Sequence, residues 1–254
     1  MYADKFRLDG KVAVVTGGSR GIGKEIALGL AEQGARLALA SRKQDALDEV
    51  AEEIRQKGGE CLAMACHVGK PEQIRSLFDR VLQTYGTVNI LVNNAATNPY
   101  FGPLVDATEE AWNKTLDVNL KGPFLMIQAA ARIMMQKGGG SIVNVSSIGA
   151  FRASPMQGIY GVTKAGMVNM TKTFAKELAL ANIRVNAICP GLVETKFSEV
   201  LIQTREIYDI ALDMIPMKRH AQPSEIVCAA LYLASDASSF VTGSCITVDG
   251  GTMT

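Results

Sequence analysis

Val12-Ala13-Val14-Val15 is a short apolar run that breaks into Thr16-Gly17-Gly18-Ser19-Arg20-Gly21-Ile22-Gly23 and then resumes as a helix-compatible stretch, Lys24 to Gln33. No other stretch restricts the fold as much. The run reads as a buried strand, and the glycine turn delivers the chain into a helix that packs back onto it. In that setting glycines let backbone approach a phosphate, and the helix start offers free N–H groups and the positive end of its dipole. The spacing is Gly-x-x-x-Gly-x-Gly, which differs from the common Gly-x-Gly-x-x-Gly dinucleotide fingerprint. Taken alone, such glycines also serve ordinary tight turns.

The same alternation continues. A second strand, Arg36 to Ala40, ends at Ser41-Arg42-Lys43, and an amphipathic helix follows from Asp45 to Lys57 with Leu47, Val50, Ala51 and Ile54 on one face. Cys61 to Cys66 reads as a third strand ending at His67-Val68, Pro71 to Tyr85 as a helix, and Val88 to Val92 as a fourth strand ending in Asn93-Asn94-Ala95-Ala96. Helical pattern runs from Thr108 to Ile133, a break falls at Gly138 to Gly140, and a fifth strand, Ser141 to Val145, delivers Ser146 and Ser147. Cys245 to Val248 is a last strand before Asp249-Gly250-Gly251. Strands alternating with helices predict an α/β fold: one doubly wound parallel sheet of about seven strands with helices on both faces.

The end of the second strand is where a dinucleotide site meets the adenosine ribose. A carboxylate there would bind a free 2′-hydroxyl. This chain has Ser41 and Arg42 instead, with Arg20 in the glycine turn, and two guanidinium groups suit a 2′-phosphate. The expected cofactor is NADP(H) rather than NAD(H). The alternative is that Arg42 and Lys43 only open a solvated helix.

Composition narrows the class. A net charge of +1, with both signs interspersed, gives no reason to expect nucleic acid or an anionic membrane as partner. Five cysteines without a Cys-x-x-Cys pair argue against a disulfide framework or zinc site, and two histidines leave little for a metal centre or a Ser-His-Asp triad. Met1 to Gly10 is polar, and no apolar stretch reaches the roughly 18 residues of a membrane span. The expected compartment is the cytoplasm, with reduced thiols and no metal.

Tyr160 and Lys164 stand four residues apart in a helix-compatible run, so they share a face. A nearby ammonium favours phenolate and lowers a tyrosine pKa from its usual value of about 10. Such a pair can pass a proton to or from an alcohol or carbonyl oxygen. Tyr-x-x-x-Lys also arises by chance, and serines at a strand end also make turns. Asn119, within Asp117-Val118-Asn119-Leu120-Lys121-Gly122, could equally be a solvated helix residue.

Together these motifs resemble the short-chain dehydrogenase/reductase family over nearly the whole chain. Thr16-Gly17-x-x-x-Gly21-x-Gly23 resembles its cofactor turn, Asn93-Asn94-Ala95 its strand-four motif, Asn119, Ser147, Tyr160 and Lys164 its catalytic tetrad, and Pro190-Gly191-x-x-x-Thr195 its loop after strand six. Ser147 precedes Tyr160 by thirteen positions, the family's usual interval. The resemblance implies a single Rossmann-type domain, 1–254, that moves hydride between nicotinamide and a ketone, aldehyde or secondary alcohol. Tyr160 is then the general acid or base, Lys164 holds the nicotinamide ribose, Ser147 binds the substrate oxygen and Asn119 orders a relay water. Gly17, Ser19, Arg20, Gly21, Ile22 and Gly23 would cradle the pyrophosphate, with Ser41, Arg42, His67, Val68, Asn94 and Ala95 on the adenosine side. Pro190, Gly191, Val193 and Thr195 would meet the nicotinamide end.

Ala96 replaces the family's usual glycine, and His67 stands where an aspartate is common. The segment Phe197 to Met217 corresponds to a substrate lid within 191–222, or else to core helix, and the two are compatible. Tyr100, Phe151, Met156 and Phe197 would form an apolar pocket, with Arg152 either meeting an acidic group or lying on the surface. Cys66 to Lys70 and Asn94 to Gly102 also resemble the NADP-dependent carbonyl reductase and retinol dehydrogenase branch. A 3-oxoacyl carrier-protein reductase is the alternative, and a non-catalytic NADP-binding sensor the alternative of another class. The family usually assembles as a homotetramer.

Overall fold

A computed structural model describes residues 1–254, the side chain of Val200 excepted. The chain runs β1 (Val12–Thr16), α1 (Gly21–Glu32), β2 (Arg36–Ser41), α2 (Gln44–Gln56), β3 (Cys61–Ala65), α3 (Pro71–Tyr85) and β4 (Ile90–Asn93). It continues through α4 (Glu109–Leu116), a π-helical turn (Asp117–Lys121), α5 (Gly122–Gln136), β5 (Gly140–Val145), α6 (Gly158–Leu178) and β6 (Ile183–Pro190). The last elements are α7 (Glu199–Gln203), α8 (Arg205–Asp213), α9 (Val227–Ala234) and β7 (Cys245–Val248).

All seven strands form one parallel sheet in the order β3-β2-β1-β4-β5-β6-β7. β1 is central, Val12 registering with Arg36 of β2 and Ala13 with Ile90 of β4. Its side chains divide between two cores. Ala13 and Val15 pack with Ile26, Leu30, Leu47, Ile54 and Leu233 from α1, α2 and α9. Val12 and Val14 pack with Leu77, Val81, Met126, Ala130 and Leu178 from α3, α5 and α6. Burial on both sides explains why β1 has no polar alternation.

Local chemistry sets the helix ends. Pro71 opens α3, where a missing N–H costs nothing, and Gly86 closes it at φ 74°. Thr108 caps α4, its Oγ1 accepting from the Ala111 N–H at 3.2 Å. The helical region that starts at Thr108 is two helices joined by the π-turn. Pro123 has no N–H to give the Asn119 carbonyl, so the α-helical register cannot pass through this point. The Phe197 to Met217 segment is two short helices. α8 has no buried residue, and Ile215 just beyond it returns to the interior.

No helix among the described residues is long and apolar enough to cross a membrane.

Candidate active site

The glycine turn leaves β1 with Gly17 at φ 67° and enters α1 with Gly21 at φ 54°. Asn94, just past β4, holds the turn in place. Its Nδ2 donates to the carbonyls of Thr16 at 3.0 Å and Gly17 at 3.3 Å. Thr16 Oγ1 answers by accepting from the N–H groups of Asn94 and Ala95 and donating to the Val92 carbonyl. The backbone is so close that a Cβ on Gly23 would lie 2.3 Å from both Asn94 Nδ2 and the Gly17 oxygen. The result is a concave turn at a helix N-terminus, the shape and polarity of a phosphate site. The Asn94 Nδ2 is thus spent on the turn.

Ser41 ends β2 with its Oγ buried and unpartnered. Arg20 and Arg42 are exposed, and neither side chain has a hydrogen bond or ion pair among the described residues. An orphaned hydroxyl at the end of β2 and guanidinium groups without a protein partner are the chemistry of a polar or anionic ligand site. His67 turns back on its own loop: Nδ1 accepts from the Gly69 N–H at 3.0 Å, and its backbone N–H donates to Gln73 Oε1 at 2.7 Å. Val68 is buried, its carbonyl close enough to Gly122 that a Cβ there would approach to 2.8 Å.

β5 places Ser147 at the carboxyl end of the sheet, its Oγ accepting from the Gly149 N–H at 3.1 Å. α6 lies behind it with Tyr160 and Lys164 one turn apart. Lys164 is 2% exposed, and its Nζ donates to the Val145 carbonyl at 2.7 Å, 5.4 Å from the centre of the Tyr160 ring. Ser146 Oγ donates to the Lys164 carbonyl, tying β5 to α6.

The expected effect of Lys164 on Tyr160 is not what this arrangement produces. Burial pushes the phenol up to about 12, partly offset by a hydrogen bond with Ser147, and pushes Lys164 down to about 8. Desolvation is the largest influence on both groups, and the ammonium is taken up by the Val145 carbonyl.

Asn119 is fully buried in the π-turn. Its Oδ1 accepts from the Thr97 N–H at 2.8 Å, and its Nδ2 donates to the Thr97 carbonyl at 2.8 Å and Thr163 Oγ1 at 3.2 Å. Both amide hydrogens are therefore used, and one lone pair of Oδ1 remains. Asn119 clamps the loop after β4 to α6, a role the sequence did not reveal because Thr97 and Thr163 are remote in the chain.

The pocket candidates converge in part. Phe197 lies against Tyr160, ring centres 5.3 Å apart. The loop carrying Tyr100 joins the one carrying Met156 through a Gly102 N–H bond to the Met156 carbonyl at 2.9 Å. Met156 adopts φ 67°, rare for a residue with a side chain. Phe151, Met156 and Phe197 are 43, 42 and 47% exposed, so these side chains do not enclose a chamber. Thr195 sits over Gly21, where an added Cβ would meet its Cγ2 at 3.2 Å, which brings the loop after Pro190 and Gly191 across to the cofactor turn.

A family model described as Enoyl-(Acyl carrier protein) reductase matches residues 17–253. The chain is 42% identical to human Dehydrogenase/reductase SDR family member 4 over 245 residues, 96% of this chain and 88% of that protein. It is 41% identical to 3-oxoacyl-[acyl-carrier-protein] reductase FabG of Thermotoga maritima over 245 residues, 96% of this chain and 98% of that one. A short-chain type dehydrogenase/reductase from Mycobacterium marinum superposes with TM-score 0.95 at 39% identity, over 100% of this chain and 99% of that one. A gluconate 5-dehydrogenase from Burkholderia cenocepacia, solved with NADP and tartrate, does so with TM-score 0.95 at 34% identity, over 99% of this chain and 98% of that one. With the glycine turn, the Ser147, Tyr160 and Lys164 cluster and the seven-stranded sheet in place, these likenesses make the chain an oxidoreductase of the short-chain dehydrogenase/reductase family.

Proposed function

We propose that this protein is an NADPH-dependent reductase of a ketone or aldehyde, reversible as a secondary-alcohol dehydrogenase. The observation that carries this reading is the meeting of Ser147 and Tyr160 at the strand ends, backed by the buried Lys164 and facing the glycine turn across Thr195. The nicotinamide supplies the hydride. As negative charge develops on the carbonyl oxygen, the Tyr160 hydroxyl gives it a proton and the Ser147 hydroxyl donates a hydrogen bond. A phenol held up to about 12 is fully protonated at neutral pH, which suits the reductive direction. Lys164 steadies the tyrosinate left behind and binds the nicotinamide ribose. Asn119 holds the loop after β4, and a relay water would use the free lone pair of its Oδ1.

Ser19, Arg20 and Ile22 complete the pyrophosphate cradle with Gly17, Gly21 and Gly23. Ser41, Arg20 and Arg42 meet the 2′-phosphate, which is the basis for NADP(H) over NAD(H). The NADP-bound gluconate 5-dehydrogenase supports that choice. His67, Val68 and Ala95 face the adenosine, and Pro190, Gly191, Val193 and Thr195 the nicotinamide. Tyr100, Phe151, Met156 and Phe197 select an apolar substrate, with the 191–222 segment as lid. Free thiols fit the cytosol, and a homotetramer is the assembly we expect.

A second reading is reduction of a 3-oxoacyl thioester on a carrier protein, favoured by the Thermotoga maritima relative. One experiment separates these readings: cofactor oxidation followed by absorbance across diketones, aryl ketones, retinal and acetoacetyl thioesters, with NADPH and then NADH. NADPH turnover well above NADH supports the Ser41, Arg20 and Arg42 assignment, and equal rates overturn it. The best carbonyl decides between the two substrate classes. Cofactor binding without turnover on any carbonyl would favour a sensor.

A further inference from the structure

A second polar cluster lies outside the Ser147, Tyr160 and Lys164 set. Tyr208, on α8, has its hydroxyl 2.7 Å from His220 Nδ1. His220 Nε2 lies 3.1 Å from Glu194 Oε2, and Gln222 Nε2 donates to the same oxygen at 2.6 Å. A carboxylate only accepts, so His220 carries its hydrogen on Nε2 and leaves Nδ1 to accept from Tyr208. One imidazole thus joins the two sides, and the two rings also pack, centres 5.7 Å apart.

The segment bearing His220 is itself fixed. Arg219 pairs with both oxygens of Glu225 at 2.7 Å, and Glu225 also accepts from the Gln222 N–H. Its backbone runs beside the loop after β6: Glu194 N–H bonds the Ala221 carbonyl at 2.8 Å, and Ala221 N–H the Leu192 carbonyl at 2.9 Å. Glu194 stands between Val193 and Thr195, and Thr195 rests on Gly21. α8 contrasts with this firm base, since none of its residues is buried.

We propose that Tyr208–His220–Glu194 is a latch that couples the seating of the Val193 to Thr195 loop on the cofactor to the placement of α8 over the substrate. Tyr208 and His220 are then positioning residues, acting through the lid and not on the reacting atoms. The inference rests on the proposed assignment of Val193 and Thr195 to the cofactor.

The test is limited trypsin digestion of the full chain with and without NADPH, alongside cofactor binding measured by fluorescence. Arg205, at the start of α8, has a 94% exposed side chain and serves as the reporter bond. In the wild type, saturating NADPH slows cleavage after Arg205. In Tyr208→Phe, which keeps the ring against His220, cleavage under NADPH is about fivefold faster, the scale of one lost hydrogen bond, and NADPH affinity falls by no more than that same factor, as reciprocal coupling requires. The KM for the carbonyl rises by a similar factor with kcat within about twofold, as loss of uniform binding requires. Glu194→Gln keeps its acceptor contacts and its protection, whereas Glu194→Ala loses protection. Equal protection in Tyr208→Phe and wild type, or no protection by bound NADPH in the wild type, overturns the latch. Failure of the wild type to bind either cofactor overturns the site assignment instead.

Discussion

The glycine turn and the segment proposed as a lid are built in opposite ways. The turn is pinned from beside it: Asn94 Nδ2 bonds the Thr16 and Gly17 carbonyls, Thr16 Oγ1 ties the end of β1 to the N–H groups of Asn94 and Ala95, and no room is left for even a methyl group on Gly23. The lid is held by side chains at the surface, with α8 contributing nothing to either core. A pyrophosphate has the same shape in every turnover, so a rigid cradle suits it. Substrates vary and must enter and leave, which calls for an element whose local stability is low. The chemistry sits between the two, on α6, rigid through Lys164 and touched by the lid through Phe197.

Several variants would break or sharpen this contrast. The largest effect belongs to the element between the two regions. Tyr160→Phe is expected to lower kcat about 10³-fold, as loss of a general acid does, with cofactor affinity retained. Retained turnover would remove Tyr160 from the mechanism. Gly23→Ala comes next, with a stability loss of about 2 to 3 kcal/mol in urea unfolding, the upper range for overpacking against atoms that cannot move aside. Cofactor binding should weaken with it. A neutral outcome would show that the Asn94 staple yields.

A smaller effect is expected from pH on the cofactor-free protein. Lys164 is ordinarily at 10.5 and lies at about 8 in the fold, so across that interval the unfolded chain holds the proton more tightly and stability rises with pH. Tyr160, ordinarily at 10.0 and raised to about 12, reverses the slope above 10. The urea midpoint of the wild type relative to Lys164→Met should therefore climb from pH 7.5 to about 9.5, the Cys61, Cys66 and Cys189 thiols, whose pKa values are raised in the fold, pulling both proteins down alike toward the alkaline end. A difference that falls with pH would contradict the buried ammonium. The smallest change in stability is expected from Phe197→Ala, within about 0.5 kcal/mol because the ring is half exposed, but with a raised KM for the carbonyl. A large stability loss there would make the lid part of the core and erase the contrast.

The rigid region was also the more legible one. Val12 to Gly23 spelled strand, turn and helix in consecutive residues, and the strand-end positions of Ser41 and Ser147 followed from counting along alternating elements. What failed to show was whatever depends on remote partners. Asn94 closes the turn from β4, across a sequence separation no local pattern encodes. Asn119 also clamps Thr97 to Thr163, a role its place in the sequence does not announce. The direction of the Tyr160 shift follows from burial, and helical spacing brings two residues to one face without fixing how deep they lie. Tyr208 and His220 carry no signal, since their contact joins a helix to a loop twelve residues on, through partly buried side chains that no periodic pattern marks.

The position of β1 has a consequence for how the chain is made. Its first neighbour, β2, follows 24 residues later in register, whereas its other neighbour, β4, brings Ile90 to Ala13 only after α2, β3 and α3 have been synthesised. On the ribosome, β1 to β3 can assemble as a three-stranded unit with one apolar edge still open, and that edge stays unpaired until β4 emerges. Parallel pairing across such intervals is slow because loop closure precedes any gain from contact. Chaperone dependence during synthesis should therefore centre on the interval between emergence of β1 and of β4, well before any residue of the catalytic helix has left the tunnel.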